Sequence, residues 1–238
     1  MTETATRPHP ASTTPTNTLF TGFLLYKRAE SWFHDQAADW AAADTEVANL
    51  VSGAEEGVTL RGAYTVLGLH PDVDLMLWVV APNLDQVQRF AIAFDKTAIG
   101  RNLRLVEAYH GMASGSVYDS SHSPAFLRGE DPKRYLSVYP FNKTPEWFQL
   151  PYPERRQLMV EHGEMGREYP SVLTNTVSSF GIADQDWIVA LEDDDPATLI
   201  RMVQKLREAK VREWTSVDTP IYLGERKDLA AVLQDLHG

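Results

Sequence analysis

Gly68-Leu69, then Asp74-Leu75-Met76-Leu77-Trp78-Val79-Val80, then Pro82 and a helical run from Leu84, is matched later in the chain by Gly181-Ile182, then Asp186-Trp187-Ile188-Val189-Ala190-Leu191, then Pro196 and a helical run from Ala197. A turn glycine, an acidic residue, an apolar strand, a proline and a helix recur in one order, so the two halves read as diverged copies. Around the first copy lie an aromatic and aliphatic strand at 18–26 and a helix around 30–55. Strands at 58–69 and 73–80 follow, separated by the turn residues His70-Pro71-Asp72. A helix at 84–99 carries Leu84, Val87, Phe90, Ala91 and Phe94 at helical spacing, and a strand at 103–110 closes the half. Around the second copy lie a strand at 134–141, a helix at 153–168, strands at 172–180 and 188–191, the helix from 197 and a strand at 220–223. Both halves are βαββαβ. Such a unit makes an antiparallel sheet with both helices on one face, and packing the two bare faces together would bury them.

The domain division is therefore residues 18–115 and 134–238, with 116–133 as the connecting loop. The wider stretch 111–133 is rich in Gly, Ser, Asp and Pro and long enough to carry function. Residues 1–17 hold almost no large apolar side chain and are expected to be a disordered tail. With 238 residues, 43% of them hydrophobic, the chain can bury a substantial core. A net charge of -11 argues against a nucleic-acid or anionic-membrane partner, and any anionic ligand must meet locally placed cations. The absence of Cys removes disulfides, thiolate ligands and iron–sulfur clusters, leaving His or carboxylates for a metal. No apolar run approaches the ~20 residues of a membrane span and no signal peptide is evident, so the expected location is cytoplasmic.

Tyr139-Pro140-Phe141-Asn142-Lys143 leads through Trp147 to a helix bearing His162 in Glu161-His162-Gly163-Glu164-Met165-Gly166-Arg167. Tyr139, Phe141 and Lys143 share one strand face, which puts a phenol and an ammonium together. Read alone, the pair is a core aromatic with a solvated lysine. His162 has Leu158, Met159, Met165 and Gly166 as helical neighbours, a setting in which an isolated His is a packed core residue. Gly163 and Gly166 alter that balance, since each weakens a helix by about 1 kcal/mol, a cost that makes sense where a flat macrocycle approaches the backbone. An oxidisable phenol, a cation and an imidazole on consecutive elements point to redox chemistry on a porphyrin, with His162 as a proximal ligand. His122, in Ser121-His122-Ser123-Pro124, is either a solvated loop residue or a base presented to the cavity.

These motifs, with Glu146-Trp147-Phe148, Thr174-Asn175-Thr176 and Ser178-Ser179-Phe180-Gly181, resemble the actinobacterial coproheme decarboxylases of the chlorite-dismutase-like superfamily over the chain from Thr18 onward. The resemblance implies an α+β fold in which two ferredoxin-like βαββαβ units form a dimeric α+β barrel, assembled as a homopentamer. It implies hydrogen-peroxide-dependent decarboxylation of two propionates of iron coproporphyrin III, which is both substrate and redox cofactor, to the vinyls of haem b. His162 is then the axial iron ligand, Tyr139 the radical-bearing catalytic residue and His122 the distal base, with Lys143, Trp147 and Thr174 at the substrate. His122 takes a proton from peroxide and promotes O–O cleavage. Tyr139, once oxidised, removes a hydrogen from a propionate β-carbon, and loss of carbon dioxide and one more electron leaves the vinyl. A transient contact with the ferrochelatase that supplies coproheme also follows.

The chain departs from chlorite dismutases at Thr174-Asn175-Thr176, where those enzymes carry a distal Arg, so chlorite decomposition is disfavoured. Val211, near the end of the last helix, stands where they place a Glu bonded to the proximal His. Two other readings remain at this stage. One is a haem carrier or sensor of the same fold, against which Tyr139 argues; the other is a structural oligomer in which His162 is core.

Overall fold

The computed structural model describes residues 18–34, 39–113 and 123–237. The first half consists of β1 (Leu19–Arg28), α1 (Trp40–Ser52), β2 (Thr59–Thr65), β3 (Leu75–Ala81), α2 (Leu84–Asp95) and β4 (Leu103–Ala113). The second consists of β5 (Tyr135–Lys143), α3 (Pro145–Gln149), α4 (Tyr152–Arg167), β6 (Leu173–Thr174), β7 (Val177–Ser178), β8 (Trp187–Asp193), α5 (Pro196–Leu206), β9 (Thr215–Val217), β10 (Tyr222–Lys227) and α6 (Leu229–His237). The repeat glycines occupy matching backbone positions. Gly68 has φ +78 and Gly181 has φ +71, a left-handed conformation that favours Gly, each in the turn before the strand that follows. Helix starts match too: Asn83 and Gln86 form a capping box on α2, and the Asp195 carboxylate accepts from Ala197 N at the start of α5.

The strands run β4-β1-β3-β2 and continue through β10-β5-β8-β7, every pairing antiparallel. Counting β6 and β7 as one interrupted strand and setting β9 aside, each run is the fourth, first, third and second strand of its half. Met112 of β4 pairs with Ser178 of β7, which closes the sheet on itself. The two bare faces do meet, but inside a closed barrel whose halves are also joined edge to edge, rather than as two stacked sheets. Closure pairs backbone groups that separate sheets would leave at their edges.

Alternation along the strands divides two environments. In β3, Met76, Trp78 and Val80 point into the barrel, while Leu75, Leu77, Val79 and Ala81 point outward beneath helices. The barrel core takes Phe23 and Leu25 from β1, Leu136 and Val138 from β5, and Ile188 and Ala190 from β8. Outside the first half, Val47 of α1, Val87, Phe90 and Phe94 of α2, and Val232, Leu233 and Leu236 of α6 fill a dense layer. Outside the second half the layer is hollow: α4, sixteen residues long, has no buried residue. That gap holds the site.

Three expectations need correction. The helix expected over 30–55 is a 3-10 turn at Glu30–Phe33 followed by α1, which restarts where the Asp39 carboxylate caps Ala42 N. Residues 35–38 lie outside the described residues, as do the tail 1–17 and loop residues 114–122. The strand expected over 172–180 is broken into β6 and β7, because Asn175 between them turns into a buried polar network. The third is α6, which the sequence reading left out.

In that network Glu192, fully buried, accepts from Arg61 at 2.9 Å and from Asn175 Nδ2 at 2.8 Å through Oε1, and from Lys133 N at 2.9 Å through Oε2. The Arg61 guanidinium lies 4.8 Å from the Trp78 ring, and Asn175 Oδ1 accepts from Phe126 N at 2.9 Å. Burial raises the Glu192 carboxyl above its ordinary value while Arg61 and the donated hydrogen bonds pull it down. Glu192→Ala takes the carboxylate from the Arg61 guanidinium, which keeps only the Glu130 carbonyl, and leaves the Asn175 Nδ2 without its acceptor, and we expect a loss of about 3–5 kcal/mol in urea unfolding. A loss under about 1 kcal/mol would contradict that assignment.

Candidate functional site

Strand β5 alternates so that Leu136 and Val138 enter the barrel while Tyr135, Tyr139 and Phe141 face outward. Val189 and Leu191 of the paired strand β8 extend this outer surface. Against it stand α4 and α5, and between them lies a cavity of about 590 Å³. Its lining includes Tyr139, Lys143, Trp147, His162 and Thr174, so five of the six residues singled out in the sequence share one space. His122 lies outside the described residues; Ser123 and Pro124, which follow it, are part of the lining.

His162 projects from α4, and Arg155 and Met159, seven and three residues before it, line the same cavity, so this face of the helix looks into the gap. The His162 Nδ1 is buried without a hydrogen-bond partner. Burial, then the Lys143 charge, lowers the imidazole pKa to about 4, which keeps it neutral near pH 7 with a lone pair available. A Cβ added at Gly163 would meet nothing within 4 Å, and one at Gly166 only the Met202 methyl at 3.7 Å. The helix surface at these two glycines is therefore uncrowded. Among the described residues no group of three His, Asp or Glu could hold a metal ion. A bare ion would find a single donor at His162; a metal carried in its own macrocycle needs no more than that from the protein.

Lys143 ends β5, buried, with Nζ donating to the Val211 carbonyl at 3.2 Å and lying 4.6 Å from the Trp147 ring and 5.1 Å from that of Phe141. Burial first and the Arg212 charge second lower its pKa to about 8. Burial and the Asp218 carboxylate push the Tyr139 phenol up to about 12, with Arg207 and Arg212 opposing, so the phenol keeps its proton. Trp147, on α3, is buried against Ala209 and Val211. Val211 lies on a 3-10 turn at Lys210–Trp214 past the end of α5, not on the helix itself, and offers Lys143 a carbonyl. Phe148, Phe180 and Trp187 form an aromatic wall, with Phe180 edge-on to Trp187 at 4.7 Å and Phe148 stacked on it at 6.3 Å.

The sequence reading missed four charged residues. Arg155, Arg207, Arg212 and Asp218 also line the cavity, and both Arg207 and Arg212 reach Asp218 Oδ2, at 3.2 and 3.0 Å. With Lys143 they give four cations against one carboxylate in a protein of net charge -11. Arg155 could have been found, because a residue seven positions before His162 lies two turns along the same helix face. Arg207, Arg212 and Asp218 converge only through the turns after α5.

The chain matches the chlorite dismutase family model over residues 40–227. It is 38% identical over 173 residues to a coproheme decarboxylase of Mycolicibacterium smegmatis, spanning 72% of this chain and 75% of that one. It is 29% identical over 160 residues to a coproheme decarboxylase of Staphylococcus carnosus, spanning 60% and 64%. The chlorite dismutase of Candidatus Nitrospira defluvii, solved with imidazole, superposes with a TM-score of 0.83 over 92% of this chain and 95% of that one; at 24% identity this likeness concerns the fold. With the family model spanning most of the closed barrel and the cavity outside its second half, the chain belongs to the chlorite dismutase family.

Proposed function

We propose that the protein is a coproheme decarboxylase, converting two propionates of iron coproporphyrin III to the vinyls of haem b with hydrogen peroxide as oxidant. The observation that carries this reading is one cavity uniting a neutral His162, a buried phenol and four cations beside glycines that leave the helix surface open. The curated relatives at 38% and 29% identity bear the same activity as their names. Iron coproporphyrin, when bound, is the redox centre and carries the groups that react.

His162 would hold the iron through an imidazole nitrogen. Lys143, Arg155, Arg207 and Arg212 offer charge to carboxylates that the acidic surface elsewhere would repel. Tyr139 gives up its phenolic hydrogen and, as a phenoxyl radical, takes a hydrogen atom from the β-carbon of a propionate. Each conversion releases carbon dioxide, a proton and two electrons, which balance the two electrons that one peroxide accepts on becoming water. His122 is the base that takes the first proton from peroxide. Trp147 and Thr174 complete the substrate wall, and haem b leaves as product. A carrier or sensor would have no use for a buried phenol in that wall. Five chains in a ring, contact with a coproheme-supplying ferrochelatase and a cytoplasmic location complete the proposal; among the described residues no helix is long and apolar enough to cross a membrane.

Adding iron coproporphyrin to purified protein and then peroxide tests the reading, with the Soret band and product masses followed together. Formation of haem b supports it, whereas a bound porphyrin whose mass never changes would support the carrier instead. Lys143 adds a pH signature. A carboxylate placed beside it raises its pKa from about 8, so binding takes up a proton above that pH. Affinity should then fall as pH rises past 8, by up to about tenfold per unit, and Lys143→Met should flatten the slope. Equal affinity at neutral and strongly alkaline pH in the wild type would remove Lys143 from the carboxylate sites.

A further inference from the structure

Three of the four cavity cations already have a counterpart. Arg207 and Arg212 share the Asp218 carboxylate, and Lys143 donates to the Val211 carbonyl. Arg155 does not: its side chain makes no ion pair or hydrogen bond to any described residue, and its Nε is buried with no partner. Arg cannot discharge by losing its proton, so the guanidinium remains charged. A sealed donor without an acceptor bears its full desolvation cost in the free protein. That cost is recovered if an anion enters the cavity. The guanidinium sits on the cavity face of α4, seven residues and therefore roughly 10 Å of helix before His162. A planar macrocycle centred on His162 would bring its rim, not its centre, to such a position.

We propose that Arg155 is the anchoring residue for a rim carboxylate of the porphyrin, holding it through a forked, charge-assisted pair and so fixing how the macrocycle is turned about the His162 axis. The inference rests on the functional reading above and adds a residue and a task to it. A carboxylate is the fitting group because its two oxygens match the planar fork of a guanidinium, and because Arg155 carries the cavity charge with no partner among the described residues. It acts as a positioning residue, away from the reacting bonds. Truncating it should be tolerated by the fold, since α4 buries none of its residues.

The test is equilibrium binding of metal-free coproporphyrin III, followed by its fluorescence, so that axial ligation and turnover play no part. Arg155→Gln should raise Kd by about 10- to 100-fold, and Arg155→Lys, which keeps the charge but loses the fork, by about 3- to 10-fold. Arg156→Gln, one position along and exposed, should stay within about twofold. Circular dichroism confirms that each variant is folded, and the lysine variant keeps the test alive if the glutamine variant is not. Wild-type protein that binds coproporphyrin while both Arg155 variants bind equally well would overturn the anchor and leave the function standing. Wild-type protein that binds neither coproporphyrin nor its iron complex would overturn the functional reading and the anchor with it.

Discussion

Tyr139→Phe folds, takes up iron coproporphyrin with near wild-type affinity, and on addition of peroxide releases no carbon dioxide. The ring stays, with its packing against Val172, Leu191, Leu199 and Met202; only the hydroxyl goes. A buried phenol that keeps its proton up to about pH 12 is suited to giving up a hydrogen atom, because proton and electron must leave together and neither is lost beforehand to solvent. Phenylalanine has no such hydrogen. Peroxide then meets an intact His162 site with no route to the propionate, so the porphyrin bleaches slowly with its four carboxyl groups in place. Mass spectrometry after quenching distinguishes the cases. Accumulation of a three-propionate species or haem b at near wild-type rate would transfer the oxidising role to another residue, of which Trp147, buried in the same wall, is the first to test.

His162→Ala removes the axial nitrogen and should weaken iron coproporphyrin binding by at least the order of 10–100-fold that losing a mere supporting residue costs a metal site. The fold should survive, because no residue of α4 is buried and a smaller side chain there opens a cavity that already exists. Added imidazole should restore an axially ligated spectrum. The lowered pKa gives the wild type a second signature. With a folded-state pKa of about 4, His162 stays neutral well below the ordinary range, so the free protein should keep an unprotonated imidazole ready for a ligand at pH 5.5, where an ordinary imidazole is mostly protonated. The same depression means the unfolded chain binds more protons between about pH 4 and 6.5. This contribution to stability is present above that window and lost as pH falls through it. Unchanged affinity together with an unchanged axially ligated spectrum in His162→Ala would defeat the ligand assignment.

The barrel was legible because its signals are local and repeated. The apolar runs of β3 and β8, the turn glycines Gly68 and Gly181 before them and the prolines Pro82 and Pro196 at or just before the starts of α2 and α5 each state a backbone requirement within a few residues. The shared space of Tyr139, Lys143 and His162 followed from the strand face and helix order. Other features were readable but overlooked: Leu229, Val232, Leu233 and Leu236 have the spacing of a buried helical stripe, and Asp39 marks a helix start inside the expected single helix. The closing contact of Met112 with Ser178, and the meeting of Arg207 and Arg212 at Asp218, depend on the return of the chain from far away. No short window of sequence contains them. The hollow under α4 belongs to the same class, since its composition alone does not distinguish a helix that packs from one that stands off.

Stoichiometry tests the central claim most directly. Protein loaded with one equivalent of iron coproporphyrin is titrated anaerobically with peroxide, quenched, and the porphyrins weighed by mass spectrometry. The account predicts that the first equivalent yields mainly the three-propionate species and the second yields haem b, each with one carbon dioxide released. Porphyrin that bleaches, or persists with all four propionates after several equivalents, would contradict it.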